Sequence, residues 1–175
     1  TDVAVVLDLM IHDLDLVLSL MRRPVVAVAA VGVPVLTPSP DIANARLEFE
    51  GGGVANLTAS RVSMERMRKI RFFQQSGYIS LDLASGTGEY LRLKPGFTFA
   101  PGTPLPGGGL ADIVERIPLR GDGTEPLRAE LDAFVRAVRG EGPVSVNGTD
   151  GRAALAVALE IVNRIERHVA HRDPA

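Results

Sequence analysis

The sequence contains no cysteine. That excludes disulfides, thiolate zinc sites and cysteine nucleophiles, and it fits a cytoplasmic protein. Tryptophan is absent and aromatic residues make up only 5%, which supplies little for interleaved stacking on nucleic acid. There is no excess of positive charge: the formal net charge is -2, against a general nucleic-acid binder, which needs a basic face. No apolar run as long as the roughly eighteen residues of a membrane span is free of charge. The N-terminal one is interrupted by Asp8, His12, Asp13 and Asp15, so a membrane-spanning helix is not expected. A secretory signal, with its basic start, uncharged middle and small-residue cleavage site, is missing too.

Nucleotide-binding loops are also lacking. Gly86-Thr87-Gly88 has no third glycine and no helical pattern after it, so it is not a dinucleotide fingerprint. Gly107-Gly108-Gly109 is not followed by a Lys-Ser/Thr pair, and no Gly-x-Ser-x-Gly elbow occurs. The chain by itself is expected to hold no NAD. It opens at Thr1 directly into apolar sequence, which reads as a fragment of a longer protein.

What is present suits one soluble globular domain: 175 residues, 46% hydrophobic and 23% charged. Residues 3–21 read as a largely buried helix. Asp8, His12, Asp15 and Ser19 recur at helical spacing, within roughly 60° of one another at about 100° per residue. Pro24 closes the helix. Residues 25–33 are rich in Val and Ala and read as a strand. In residues 41–50, Ala43, Ala45, Leu47 and Phe49 alternate with Asn44, Arg46 and Glu48. Gly51, Gly52 and Gly53 make a hairpin turn into a second alternating run, 54–62.

Residues 69–74, 78–83, 90–93 and 112–119 read as further strands, with a proline- and glycine-rich loop at 94–109. Thr124 and Asp150 are expected to cap two closing helices. Leu127, Leu131, Phe134, Val135 and Val138 would be the buried stripe of the first. Leu155, Leu159, Val162, Ile165 and Val169 would be that of the second. A helix, a run of strands and two helices predict an α+β domain: a mainly antiparallel, mixed sheet, running as a meander, with helices on one face.

The strongest chemical signal is Asp8-Leu9-Met10-Ile11-His12. An Asp one helical turn from a His can orient the imidazole. Such a pair suits removal of a hydroxyl proton during alcohol oxidation. The bland alternative is a histidine on the solvated face of an amphipathic helix. Asp8, His12 and Asp15 could offer three metal ligands, but the other two imidazoles, His168 and His171, sit near the C-terminus, and no metal is expected. Arg61, Arg66, Arg68, Lys69 and Arg71 cluster around a turn. They suit a phosphate or pyrophosphate, or equally a strand edge guarded by charge.

Asp8-Leu-Met-Ile-His12-Asp-Leu-Asp15 resembles the Asp-x-x-x-His-x-x-Asp signature that opens the C-terminal domain of the Gfo/Idh/MocA oxidoreductases. Leu47-Glu-Phe-Glu-Gly-Gly-Gly53, Gly77-Tyr-Ile-Ser-Leu-Asp82 and Val146-Asn-Gly-Thr-Asp150-Gly resemble, in order, that family's first strand-turn-strand, a later strand and its closing helix. The resemblance implies a substrate-binding and oligomerisation domain over residues 1–175, with NAD or NADP bound mainly by a separate N-terminal Rossmann half. It implies that His12 is the acid/base at the oxidised carbon, with Asp8 its partner, and that the sheet face builds a homo-oligomer.

The family's catalytic Lys lies in a Glu-Lys-Pro motif of the Rossmann half; Lys94-Pro95 is not that motif. A narrower likeness runs from Asp41-Ile-Ala-Asn-Ala-Arg46 through Asn56-Leu-Thr-Ala-Ser-Arg61 to Arg66-Met-Arg-Lys-Ile-Arg71-Phe-Phe-Gln. It is to the family's branch that oxidises a UDP-linked N-acetyl sugar. It implies a nucleotide-sugar substrate met by Asp15, Arg61, Arg66, Arg68 and Lys69, with no nucleic-acid or membrane partner. A non-catalytic sugar-binding or assembly module of the same fold is the alternative.

Overall fold

A computed structural model describes residues 3–64, 67–97 and 110–170 of the chain, the side chains of Leu110 and Ala170 excepted. They fall into two compact units, Thr1–Met64 with Arg136–Ala175, and Glu65–Val135.

The first unit begins with a π-helical turn, Val6–Met10, that runs directly into α1, Ile11–Met21. The Ile11 N–H reaches back to the Val6 carbonyl, the five-residue step that defines a π-turn. Arg22, at φ 49°, closes the helix in the left-handed region. Three antiparallel strands follow: β1, Val25–Val33; β2, Ile42–Phe49; and β3, Val54–Ser60. Alternation in β2 buries Ala43, Ala45, Leu47 and Phe49 and leaves Asn44, Arg46 and Glu48 exposed, as the sequence pattern requires. On the polar face Thr58 Oγ1 donates to Asn44 Oδ1 at 2.7 Å, and Arg46 reaches Glu48 and Asn56.

The other face is covered by the π-turn, α1 and the last helix, Gly148–Ala170. Val5, Val6, Met10, Leu14, Leu47, Phe49, Ile161 and Ile165 are almost fully buried there. Burial of each such side chain contributes about 1.5–3 kcal/mol. Val5 and Val6 therefore belong to the core, and exposed apolar surface at this end is confined to Val3 and Leu9.

The last helix is rotated from its expected setting. Ala154, Ala158, Ile161 and Ile165 are buried, whereas Leu155, Leu159 and Val169 are exposed. Alanines let the helix approach β1 closely, and Gly32 makes room: a Cβ there would meet Ile165 Cγ2 at 2.8 Å. The capping residue is also shifted. Asn147 Oδ1 accepts from the N–H groups of Thr149 and Asp150, while Asp150 Oδ2 accepts from the Asn147 N–H. Asp150 is thus the reciprocal partner in a capping box rather than the cap itself.

The second unit holds four antiparallel strands in chain order: β4, Lys69–Gln74; β5, Gly77–Asp82; β6, Thr87–Leu93; and β7, Val114–Arg120. A short turn, α2, Leu110–Ile113, leads into β7. The α+β, antiparallel fold class holds. Among the described residues the expected continuous meander divides into two sheets, with β3 paired to β2 and β4 to β5. Residues 98–109, most of the expected Pro/Gly loop, lie outside the described residues.

One face of this sheet stacks Phe72, Ile79, Tyr90 and Ile117 in register, flanked by Ile70, Leu81 and Leu119. All seven are half-buried. The four-residue α2 touches β7, the strand that directly follows it.

The helix α3, Pro126–Val138, differs from expectation as well. Leu127, Leu131, Phe134, Val135 and Val138 are exposed by 43–71%. An amphipathic stripe is buried only where a surface meets it, and no described element packs on this one. Its cap is Glu125, whose carboxylate accepts from the N–H groups of Leu127 and Arg128; Thr124 lies one residue further out. The last helix is α4 in this order.

Gly77 opens β5 at φ 148°, and a Cβ there would collide with the Leu91 carbonyl and the Tyr90 ring. Gly77→Ala is expected to destabilise the protein by about 1–3 kcal/mol. Urea denaturation reads this directly. An unchanged midpoint would show that the β5–β6 approach is looser than described.

Candidate functional site

His12 sits in the first turn of α1, immediately after the π-turn, with an exposed side chain. Asp15 lies one turn further on and is half-buried. Asp8 is within the π-turn and exposed. A π-turn uses an extra residue per turn, so the four-residue step from Asp8 to His12 does not close one regular turn. The Asp8 carboxylate goes elsewhere: its Oδ2 lies 3.2 Å from Arg61 Nη2. Among the described residues no hydrogen bond joins Asp8 to His12. Pairing by helical spacing alone missed this, because the partner is 53 residues away.

Arg61 is a clamp within the first unit. Its side chain is 14% exposed. Nη2 donates to the Val3 carbonyl at 2.6 Å as well as to Asp8, and Nη1 lies 3.8 Å from Asp41 Oδ1. The guanidinium therefore joins the start of the π-turn to the start of β2. This use competes with the phosphate contact expected of it, since a cation already paired with two carboxylates attracts a further anion weakly.

Asp41 was not singled out by the sequence, yet it is the one polar side chain buried to 0% exposure among the described residues. Its Oδ2 accepts from the successive N–H groups of Val35, Leu36 and Thr37 at 2.8, 2.6 and 2.9 Å, and Oδ1 accepts from Thr37 Oγ1 at 3.0 Å. Three consecutive N–H groups converging on one oxygen form an anion-binding nest, filled here by the chain's own carboxylate. The Val35 N–H is the largest influence on its acidity, and together with those of Thr37 and Leu36 it outweighs burial. The carboxyl is held well below its ordinary range. The signal available in sequence was slight: an Asp directly after Thr37-Pro38-Ser39-Pro40, a turn-rich stretch whose N–H groups need an acceptor.

The remaining members of the basic cluster belong to the second unit. Arg68 and Lys69 are exposed at the start of β4, and Arg71 is exposed two residues along it. Arg66 lies outside the described residues, as does His171. Lys69 and Arg71 line an open groove of about 530 Å³ on the face of the sheet opposite its apolar side. β4 is an edge strand. Gly86-Thr87-Gly88 falls in the β5–β6 hairpin rather than before a helix, so this stretch lacks the strand-turn-helix setting of a dinucleotide loop.

Comparison with known proteins places this geometry. Residues 3–80 match the GFO/IDH/MocA C-terminal domain. The chain is 38% identical over 165 residues to UDP-N-acetylglucosamine 3-dehydrogenase of Acidithiobacillus ferrooxidans, covering 94% of this chain and 50% of that protein. A solved structure of that enzyme superposes with a TM-score of 0.80 at 37% identity, over 95% of this chain and 50% of the other. Levoglucosan dehydrogenase in complex with NADH and levoglucosan shares the fold, with a TM-score of 0.69 at 17% identity, over 92% of this chain and 48% of the other. The chain spans about half the length of the curated relative it matches. Over residues 3–80 the chain is thus similar to the C-terminal domain of the GFO/IDH/MocA family, and over nearly its whole length to one half of that dehydrogenase.

Proposed function

We propose that residues 1–175 are the substrate-binding and oligomerisation domain of a longer NAD(P)-dependent oxidoreductase that oxidises a sugar hydroxyl to a ketone, with UDP-N-acetylglucosamine oxidised at C3. The observation that carries this reading is the 38% identity over 94% of the chain to an enzyme of that name. The absence of a dinucleotide loop and a match to only half of the relative both agree with a separate NAD or NADP domain. The isolated chain would be inactive.

His12 takes the role of acid/base, receiving the hydroxyl proton from the carbon being oxidised. Its exposed imidazole, with no competing hydrogen bond among the described residues, is free to meet a substrate hydroxyl. Asp8 acts through Arg61, which fixes the π-turn and with it the start of α1; Asp15 is assigned a sugar hydroxyl. Arg66, Arg68 and Lys69 are assigned to the phosphates. The test is NADH formation by the longer protein with UDP-N-acetylglucosamine and NAD, beside other sugars. Turnover of the UDP-sugar supports the full reading. Turnover of another sugar alone removes the nucleotide, and none with any sugar leaves the non-catalytic binding module.

A homo-oligomer is assigned to the sheet faces. The half-buried row Phe72, Ile79, Tyr90 and Ile117 supports this, because an apolar sheet face needs a second layer. Ile79→Lys is expected to shift the oligomer toward monomer in light scattering after size exclusion. A wild-type monomer, or an unchanged oligomer in the variant, removes this face as the interface.

A further inference from the structure

The polar face of the second sheet carries more than its basic residues. Alternation along β4 puts Lys69, Arg71 and Phe73 on one side. Register then builds three rows. Lys69 aligns with Asp82, Thr87 and Arg120; Arg71 with Ser80, Glu89 and Pro118; Phe73 with Tyr78, Leu91 and Arg116.

Charge on this face is unevenly spent. Arg116 pairs with Glu89 at 2.5 Å, and Asp82 Oδ1 accepts from the Ala84 and Ser85 N–H groups of the following turn. Lys69 and Arg71 make no ion pair among the described residues. With Arg120 on the same face, four cations meet two carboxylates, and both carboxylates are engaged. The third row is aromatic: Phe73 is 80% exposed, and its ring centroid lies 5.0 Å from that of Tyr78.

We propose that this face binds a nucleoside diphosphate, with Phe73 and Tyr78 stacking the base and Arg71 and Lys69 meeting the two phosphates. Same-side residues on a strand are spaced about 7 Å apart, so the cations follow the aromatic pair in the order that base, ribose and phosphates require. Aromatic stacking accepts any base, because each has a π-face. The guanidinium of Arg71 matches phosphate geometry in two-pronged form, and Lys69 adds a point charge.

Edge protection explains the cations on β4 but not Phe73. An exposed aromatic ring on an edge strand invites association rather than preventing it. The inference rests on the nucleotide-sugar reading above and adds to it Arg71, Phe73 and Tyr78, all within the second unit.

Calorimetric titration of the 175-residue chain with UDP, uridine and inorganic pyrophosphate tests it. UDP is expected to bind, with Arg71→Ala and Phe73→Ala each weakening it about 10-fold. Pyrophosphate binding should fall in Lys69→Ala and Arg71→Ala and be untouched in Phe73→Ala; uridine binding should show the reverse. Phe73→Leu, which keeps apolar bulk without the ring face, guards against a folding artefact and is expected to lose uridine as well. No UDP binding to the wild type, or equal binding in all variants, overturns the assignment of this face. Such a failure leaves the dehydrogenase reading intact, since that reading stands or falls on NADH formation with UDP-N-acetylglucosamine.

Discussion

On the proposed oxidoreductase reading, His12→Gln in the longer protein is expected to lower kcat about 10²–10⁴-fold, the usual contribution of a positioned acid/base. Glutamine keeps much of the imidazole's size and polarity but cannot take a proton. His12 is exposed, so stability should be nearly unchanged, which makes the kinetic loss interpretable. The loss should fall on kcat, with KM moving little, because the proton leaves only as the transition state is reached. Retained turnover would return His12 to an ordinary histidine on a solvated helix face.

Asp8→Asn separates two roles for its neighbour. If Asp8 polarises His12 directly, the variant loses kcat without losing stability. If it works through the 3.2 Å pair with Arg61, the variant loses some stability, and its kinetic defect is reproduced by Arg61→Lys.

The sequence made some elements plain and hid others for identifiable reasons. In β2 the apolar and polar positions alternate without exception from Ala43 to Phe49, so one strand specifies both its faces and its register against the helices. The helix α4 is different. Its large residues, Leu155 and Leu159, suggested one buried side, whereas the partner strand selected the alanines. Which side of a helix is buried depends on the shape it meets, here a strand with glycine at position 32, and that shape is not written in the helix.

The division of the meander between β3 and β4 has the same origin. Strand propensity is local, but pairing is not. The basic cluster 61–71 reads as one patch in sequence and is distributed over both units in space. Arg71 with Phe73 gains a meaning that only register supplies.

Asp41→Asn is expected to lower Tm at neutral pH by roughly 5–10 °C, and to flatten the acid limb of the stability curve. The carboxylate accepts four hydrogen bonds and faces the Arg61 guanidinium at 3.8 Å. An asparagine supplies one acceptor oxygen and sets its NH2 against N–H and O–H donors, so buried donors in the Val35–Thr37 nest lose their partner. The pH dependence follows from the direction of the shift. Asp41 is more acidic in the folded protein than in the unfolded chain, where an aspartate titrates near 3.9. Its contribution is complete above that value and fades as pH falls from there toward the depressed folded value. Melting curves from pH 7 to pH 3 should therefore show the wild type losing Tm below about pH 4, with the gap to Asp41→Asn narrowing over the same interval. Thr37→Val, which removes only the hydroxyl donor, should fall between the two at pH 7. A gap of constant size across the range would mean that Asp41 stabilises the loop by shape rather than by charge. No gap at pH 7 would mean that the nest holds together without its anion.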